Sequence, residues 1–153
     1  MIRQVIWTLL ISLSPIAHAS FPLEASLSDL ACGADHILVG RVIGVDMVSA
    51  DGKIITDGET MTGPGLGTNI RLHIEVSEVI ESNIQSRPSI LKVPLDPMMH
   101  YSLEQVRSVH DRPSEPMLVF LRGSQYQPVI PGRFLWEIEA RSDATEIRKR
   151  CTP

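Results

Sequence analysis

The densest group of chemically capable side chains lies between Asp96 and Asp111, where Asp96, Met98, Met99, His100, His110 and Asp111 follow one another closely. Thioether with imidazole suits copper, and imidazole with carboxylate suits zinc. The spacing argues against a metal. No i,i+3 or i,i+4 histidine pair and no H-x-E arrangement occurs there. A helix from Leu103 to Val109 would hold His100 and His110 roughly 15 Å apart, whereas ligands of one ion must meet within a few ångströms. The expectation is no metal site and no cofactor, with Met98 and Met99 packing under a connection and His110 exposed at a helix end.

Nucleophilic catalysis fares no better. A strained G-x-S-x-G turn is missing, and Gly123-Ser124 reads as a tight turn between strands. Glu75, Glu78, Glu137 and Glu139 read as solvated strand faces and ends. His36 and His73 fall on strands, where half-exposed or hydrogen-bonded neighbours are expected. Gly63, Gly65 and Gly67 do not have the spacing of a dinucleotide fingerprint, and no Lys-Ser/Thr pair follows them. The residues left for function are a binding rim: Gly63, Gly65 and Gly67 from one loop, and His100, Tyr101 and His110 from another connection.

Composition limits the partner. The 153-residue chain has 14 Lys+Arg against 18 Asp+Glu, a formal net charge of -4, and 5% aromatics. Phosphate-dominated nucleic-acid binding needs clustered excess cations, so nucleic acid is not expected. An acidic balance suits a basic partner protein instead.

The amino terminus has the three parts of a secretory signal peptide. Arg3 is the positive region, Val5–Leu13 is an apolar run interrupted by Thr8 and Ser12, and Ala17-His18-Ala19 is a small-x-small cleavage site after Pro15. The apolar run is too short to span a bilayer, and no later segment is long enough. The expected organisation is residues 1–19 as signal peptide and 20–153 as one exported domain, periplasmic or secreted. In an oxidising compartment the only two cysteines, Cys32 and Cys151, are expected to pair.

The elements that must position these residues are mostly strands. A short helix is plausible over Ser20–Ala31, with Leu23, Leu27, Leu30 and Ala31 at helical spacing. Ala34–Met47 reads as a long strand bent at Gly40 and Gly44, followed by an Asp51-Gly52 hairpin signal. Asp57–Asn69, rich in glycine, reads as the most mobile loop. Ile70–Val79 alternates cleanly, with Ile70, Leu72, Ile74 and Val76 on one face. Ser89–Leu95 reads as a third strand, and Pro94 marks it as an edge or exit. Ser102 caps a helix over Leu103–Val109, with Gln105 completing a capping box. Pro116–Leu121, Gln125–Ile130 and Arg133–Ala140 follow as strands, the last with Phe134, Trp136 and Ile138 inward, and a charged tail returns to Cys151.

Three long strands, a helix, then further strands is the order of an OB-fold, a partly open five-stranded barrel. The expected fold is therefore mainly β, a five- to six-stranded OB-fold-like barrel with one short helix between strands 3 and 4; a β-sandwich and a helix-on-sheet fold are the competing readings. Cys32 with Ala34-Asp35, ILVGRVIGV (Ile37–Val45), LHIEVSEVIES (Leu72–Ser82) and MLVFLRGSQYQPV (Met117–Val129) resembles small secreted bacterial proteins whose barrel is like that of the tissue inhibitors of metalloproteases. The resemblance spans about Cys32–Glu139 and implies a fold more than an activity. In the tissue inhibitors a first-residue cysteine ligates the protease zinc through its α-amine. After cleavage at Ala19, Cys32 is the thirteenth residue and its nitrogen is an amide, so that mechanism does not transfer. Two functions remain: an exported non-enzymatic binding module, of inhibitor or immunity type, and a small exported hydrolase with a site built from scattered residues.

Overall fold

The computed structural model describes residues 25–84 and 88–151. The signal-peptide reading and its cleavage site lie outside them. Among the described residues no helix is long and apolar enough to cross a membrane.

Helix α1 (Leu27–Gly33) starts at Ser26, whose side chain accepts from the Asp29 amide while the Asp29 carboxylate takes the Ser26 N–H. This reciprocal capping lets a helix of two turns hold its end. Strand β1 (His36–Ser49) is the organising element. It pairs antiparallel with β3 (Thr68–Ser82) along its whole length, and at its start with β5 (Met117–Arg122) on the other side. The β1–β3 register slips between Ile37 and Leu38, Val39 and Gly40, and Val42 and Gly44, so the strand bends where its glycines were read to bend it. At Gly40 the reason is close approach: a Cβ would lie 2.7 Å from Ile74 Cγ2 and 2.9 Å from the Glu75 carbonyl oxygen. The tight turn Ser49–Lys53, with Gly52 at φ 80°, leads into the short β2 (Ile54–Ile55), which folds back on β1.

Strand β4 (Ile90–Pro94) pairs with β3, and helix α2 (Leu103–Val109) follows it. The capping box read from the sequence is present: Gln105 N–H donates to Ser102 Oγ at 3.1 Å, and Ser102 N–H to Gln105 Oε1 at 2.9 Å. The outer edge of β5 is shared by β6 (Gln127–Pro128) and β7 (Leu135–Glu137). The result is a mainly β, seven-stranded antiparallel sheet of order β4-β3-β1-β5-β6, with β2 on β1 and β7 on β5.

The expected barrel does not close, and two prolines explain why. The Leu95 N–H donates to Ile70 O and the Val76 N–H to Ser89 O, so odd-numbered residues of β4 face β3, while Ile90, Lys92 and Pro94 turn outward. On the other edge the Val129 N–H donates to Phe120 O, which turns Pro128 outward. Pro94 and Pro128 line one groove between the two edges, and neither has an N–H to donate across it. The sheet stays open at this seam.

The chain ends differently from the sequence reading. The strand expected over Arg133–Ala140 shrinks to β7, followed by a 3-10 turn (Ile138–Ala140) and helix α3 (Arg141–Cys151). Phe134 enters one core, while Trp136 and Ile138 pack against the other. The sheet separates these two cores. One holds Leu38, Val42, Ile70, Leu72, Ile74 and Val93 under α2, and the other holds Ile37, Val39, Leu118 and Phe120 under α1 and α3. Leu30, Ala31 and Ala144 are fully buried where α1 meets the second core. Cys32 and Cys151 join α1 to α3 as a disulfide, Cα–Cα 5.4 Å. The pair is compatible with an oxidising compartment. Arg141 pairs with Glu78, and Arg148 with Glu81 at 2.8 Å, fastening α3 to the end of β3.

Candidate functional site

The glycine-rich stretch read as the most mobile loop is hydrogen-bonded to the connection between β4 and α2. Thr62 N–H donates to Tyr101 O at 2.8 Å, and Thr62 Oγ1 donates to Met99 O at 2.7 Å. Met61 bridges Ser102, Leu103 N–H donates to Thr60 O, and Glu104 N–H donates to Gly58 O at 2.9 Å. Two segments far apart in sequence thus make one rim beside the amino end of α2.

The residues singled out from the sequence distribute over this rim. Gly63 lies against His100: a Cβ there would fall 2.7 Å from both Cε1 and Nδ1 of the imidazole. Only a residue without a side chain lets the ring pack so closely. Gly65 and Gly67 adopt φ 78° and 65°, the left-handed region that glycine reaches without strain. Gly65 carries the turn that closes with the Leu66 N–H on Gly63 O, and Gly67 follows it. His100, Tyr101 and His110 line a shallow depression of about 630 Å³ against Gln105 and Val109. His110 is drawn below its ordinary range by burial. The two histidines therefore share one depression, which a straight-helix reading did not bring out. Among the described residues no three of His, Cys, Asp and Glu gather where they could hold a metal ion.

What the rim exposes is apolar. Met61, Leu66, Met98 and Met99 are 42%, 53%, 62% and 47% exposed, and Val109 is 75% exposed. Met98 and Met99 therefore face solvent rather than packing under the connection. The acids Asp57, Glu59, Asp96 and Glu104 belong to the same two segments. Unbranched thioether side chains adapt to irregular partner surfaces, and grouped exposed apolar residues mark contact sites more often than accident.

Two polar clusters went unread in the sequence. On the outer face of β1, β3 and β4, Asp46 receives a bidentate Arg71, with His73 Nε2 at 2.9 Å and Lys92 Nζ at 3.2 Å from its Oδ2. Burial raises the Asp46 carboxyl, but Arg71, His73 and Lys92 together outweigh it and hold the group well below the usual carboxylate range. The signal was in the alternation of β3, which places Arg71 and His73 on one face; their partner depends on cross-strand register. At the start of β1, fully buried His36 has Nδ1 2.9 Å from Ser82 Oγ and Nε2 3.0 Å from Gly123 O. A carbonyl only accepts, so Nε2 bears a proton, while the Ser82 hydroxyl has two acceptors in reach, His36 Nδ1 and Ile84 O at 3.1 Å. This serine–histidine contact is sealed from solvent at the histidine, and Ser82 Oγ also takes the Ile84 N–H. It ties the end of β3 to the β5–β6 turn.

No family model, no curated protein and no solved structure matches the chain.

Proposed function

We propose that this chain is an exported, non-enzymatic binding module that engages a basic partner protein through the rim made by residues 57–69 and 96–104, in the manner of an inhibitor or immunity protein. The observation that carries the reading is the stitched rim: backbone bonds at Thr60, Thr62, Leu103 and Glu104 hold in place a patch of exposed Met61, Leu66, Met98 and Met99. A preorganised apolar patch bordered by carboxylates loses little entropy on contact and selects a cationic partner surface. The signal-peptide pattern and the Cys32–Cys151 pair support export.

We infer further that the sheet is an OB-type barrel opened at its seam. In support, α2 lies between the third and fourth long strands, and β1 pairs with both β3 and β5. The likeness to barrels of the tissue-inhibitor type belongs to the same proposal.

Affinity capture from the exported protein fraction of the native host tests the function, with Met98→Asp/Met99→Asp as the rim variant and Lys149→Ala on α3 as the control. A partner retained by the unaltered chain and by the control, and lost by the rim variant, is the expected result. A chain that stays monomeric and captures nothing, or a partner held equally by the rim variant, overturns the reading.

A further inference from the structure

The seam between β4 and β6 opens into a groove of about 500 Å³. Asn69, Pro94, Leu95 and Pro97 form one wall; Asp35, Arg122, Gly123, Gln127, Pro128 and Pro131 form the other. Along its two backbone edges the polar chemistry is one-sided. Pro94 and Pro128 turn outward at the two edges, so each directs a carbonyl toward the gap and neither supplies an N–H. Asn69 Oδ1 is buried and has no hydrogen-bond partner among the described residues. Asp35 Oδ2 accepts from the Gly123 N–H at 2.7 Å, leaving its second oxygen open. A buried acceptor without a donor is costly and rare in folded proteins, so Asn69 Oδ1 calls for a ligand that brings one.

We propose that the seam is the receptor site for an arginine side chain of the basic partner. A guanidinium carries five N–H donors in a planar fork and no acceptor. It can donate to Asn69 Oδ1 and Asp35 together, and its flat faces and methylene stem match the proline-lined walls. The charge agrees, since the chain is net acidic. Arg122 opposes it: this exposed guanidinium on the second wall has no ion-pair partner among the described residues and repels an incoming cation. The proposal rests on the binding-module reading, because Asn69 ends the glycine-rich segment of the rim and Pro97 belongs to its second segment, so that one partner could cover both.

Titration of isotope-labelled protein with N-acetyl-arginine amide, followed by amide chemical shifts, tests the site, with N-acetyl-citrulline amide as the uncharged isostere. Saturable shifts at Asn69, Leu95, Gly123 and Gln127 are expected for the arginine probe, with binding at least about tenfold weaker for citrulline. Asn69→Asp, which adds a charge in the same shape, should tighten the arginine probe about tenfold, and Arg122→Gln should tighten it too. Asn69→Leu should abolish binding. Tightening cannot arise from misfolding, so the gain variants guard against a trivial loss. Equal binding of the two probes, no saturable shift at the seam, or an unchanged affinity in Asn69→Asp overturns the proposal. If the probe does not bind while rim substitutions still release the partner, the seam alone fails; if the probe binds and rim substitutions have no effect, the rim reading alone fails.

Discussion

The Arg71 guanidinium lies flat against the Asp46 carboxylate, Nε on Oδ1 at 2.8 Å and Nη2 on Oδ2 at 2.7 Å. The two residues are direct cross-strand partners on β3 and β1. Lys92 and His73 complete the ring from β4 and β3, so one carboxylate holds three strands in register. Asp46→Asn leaves Arg71 and Lys92 side by side without their counter-charge. The group is only partly screened from water, so we expect a loss of about 2 kcal/mol at pH 7, measured by denaturant unfolding.

The same carboxylate sets an acid limit. Its folded pKa is depressed, so its contribution is complete above the unfolded value of about 4 and declines as pH falls below that value toward the folded one. The gap between the unaltered chain and Asp46→Asn should therefore be constant from pH 7 to about 5 and narrow below about 4. A gap that persists unchanged to pH 2 would contradict this assignment.

Reduction of Cys32–Cys151, or Cys151→Ser, removes a link between residues 119 apart in sequence. The chain-entropy model assigns a closure of that length about 5 kcal/mol. Thermal unfolding with and without reductant measures it. Two freely labelled thiols in protein purified from its native host without reductant would refute the pairing.

His36 is bonded at both ring nitrogens and packs at a tilt against Tyr126, with centroids 4.9 Å apart. Ser82→Ala should cost about 1 kcal/mol, and His36→Leu about 2 kcal/mol, because Ser82 then loses its ring partner and Gly123 O keeps only the Tyr126 N–H. Nitrogen NMR of the ring should show a proton on Nε2; an Nε2 without one would reverse the assignment.

Gly40→Ala places a methyl group against the Glu75 carbonyl, which cannot swing aside as a side chain would. The expected cost is about 2 kcal/mol. Gly65→Ala, with nothing near its absent Cβ but with φ 78°, should cost about 1 kcal/mol through backbone strain alone. Equal effects at the two sites would show that crowding at Gly40 relaxes freely.

Local signals survived into the structure where the sequence itself contained both partners. Ser102 and Gln105 are three residues apart, and α2 starts as read. Gly40 and Gly44 lie inside β1, and the strand bends there. Helix α3 was missed because its core-facing side is only Ala144 and the half-buried Ile147, and the disulfide with Glu78 and Glu81 holds the rest. Its only local sign was charge order, Asp143 in the first turn and Arg148, Lys149 and Arg150 in the last. The open seam depends on Pro94 meeting Pro128, and the rim on Thr62 meeting Tyr101; neither encounter is written at any one place in the chain. His100 and His110 flank α2 as read, and both border the hollow beside it, which the spacing along one helix does not show.

Because Cys32 and Cys151 are joined, everything between them is a covalent ring. One backbone cut within that ring, at the exposed Gly65-Leu66 tip for instance, linearises it without releasing a fragment. A nicked molecule would keep its mass, apart from one added water, and migrate as a single species until reductant separates the halves. Such a cut would leave the molecule whole by size and become visible only when the same sample is compared with and without reduction.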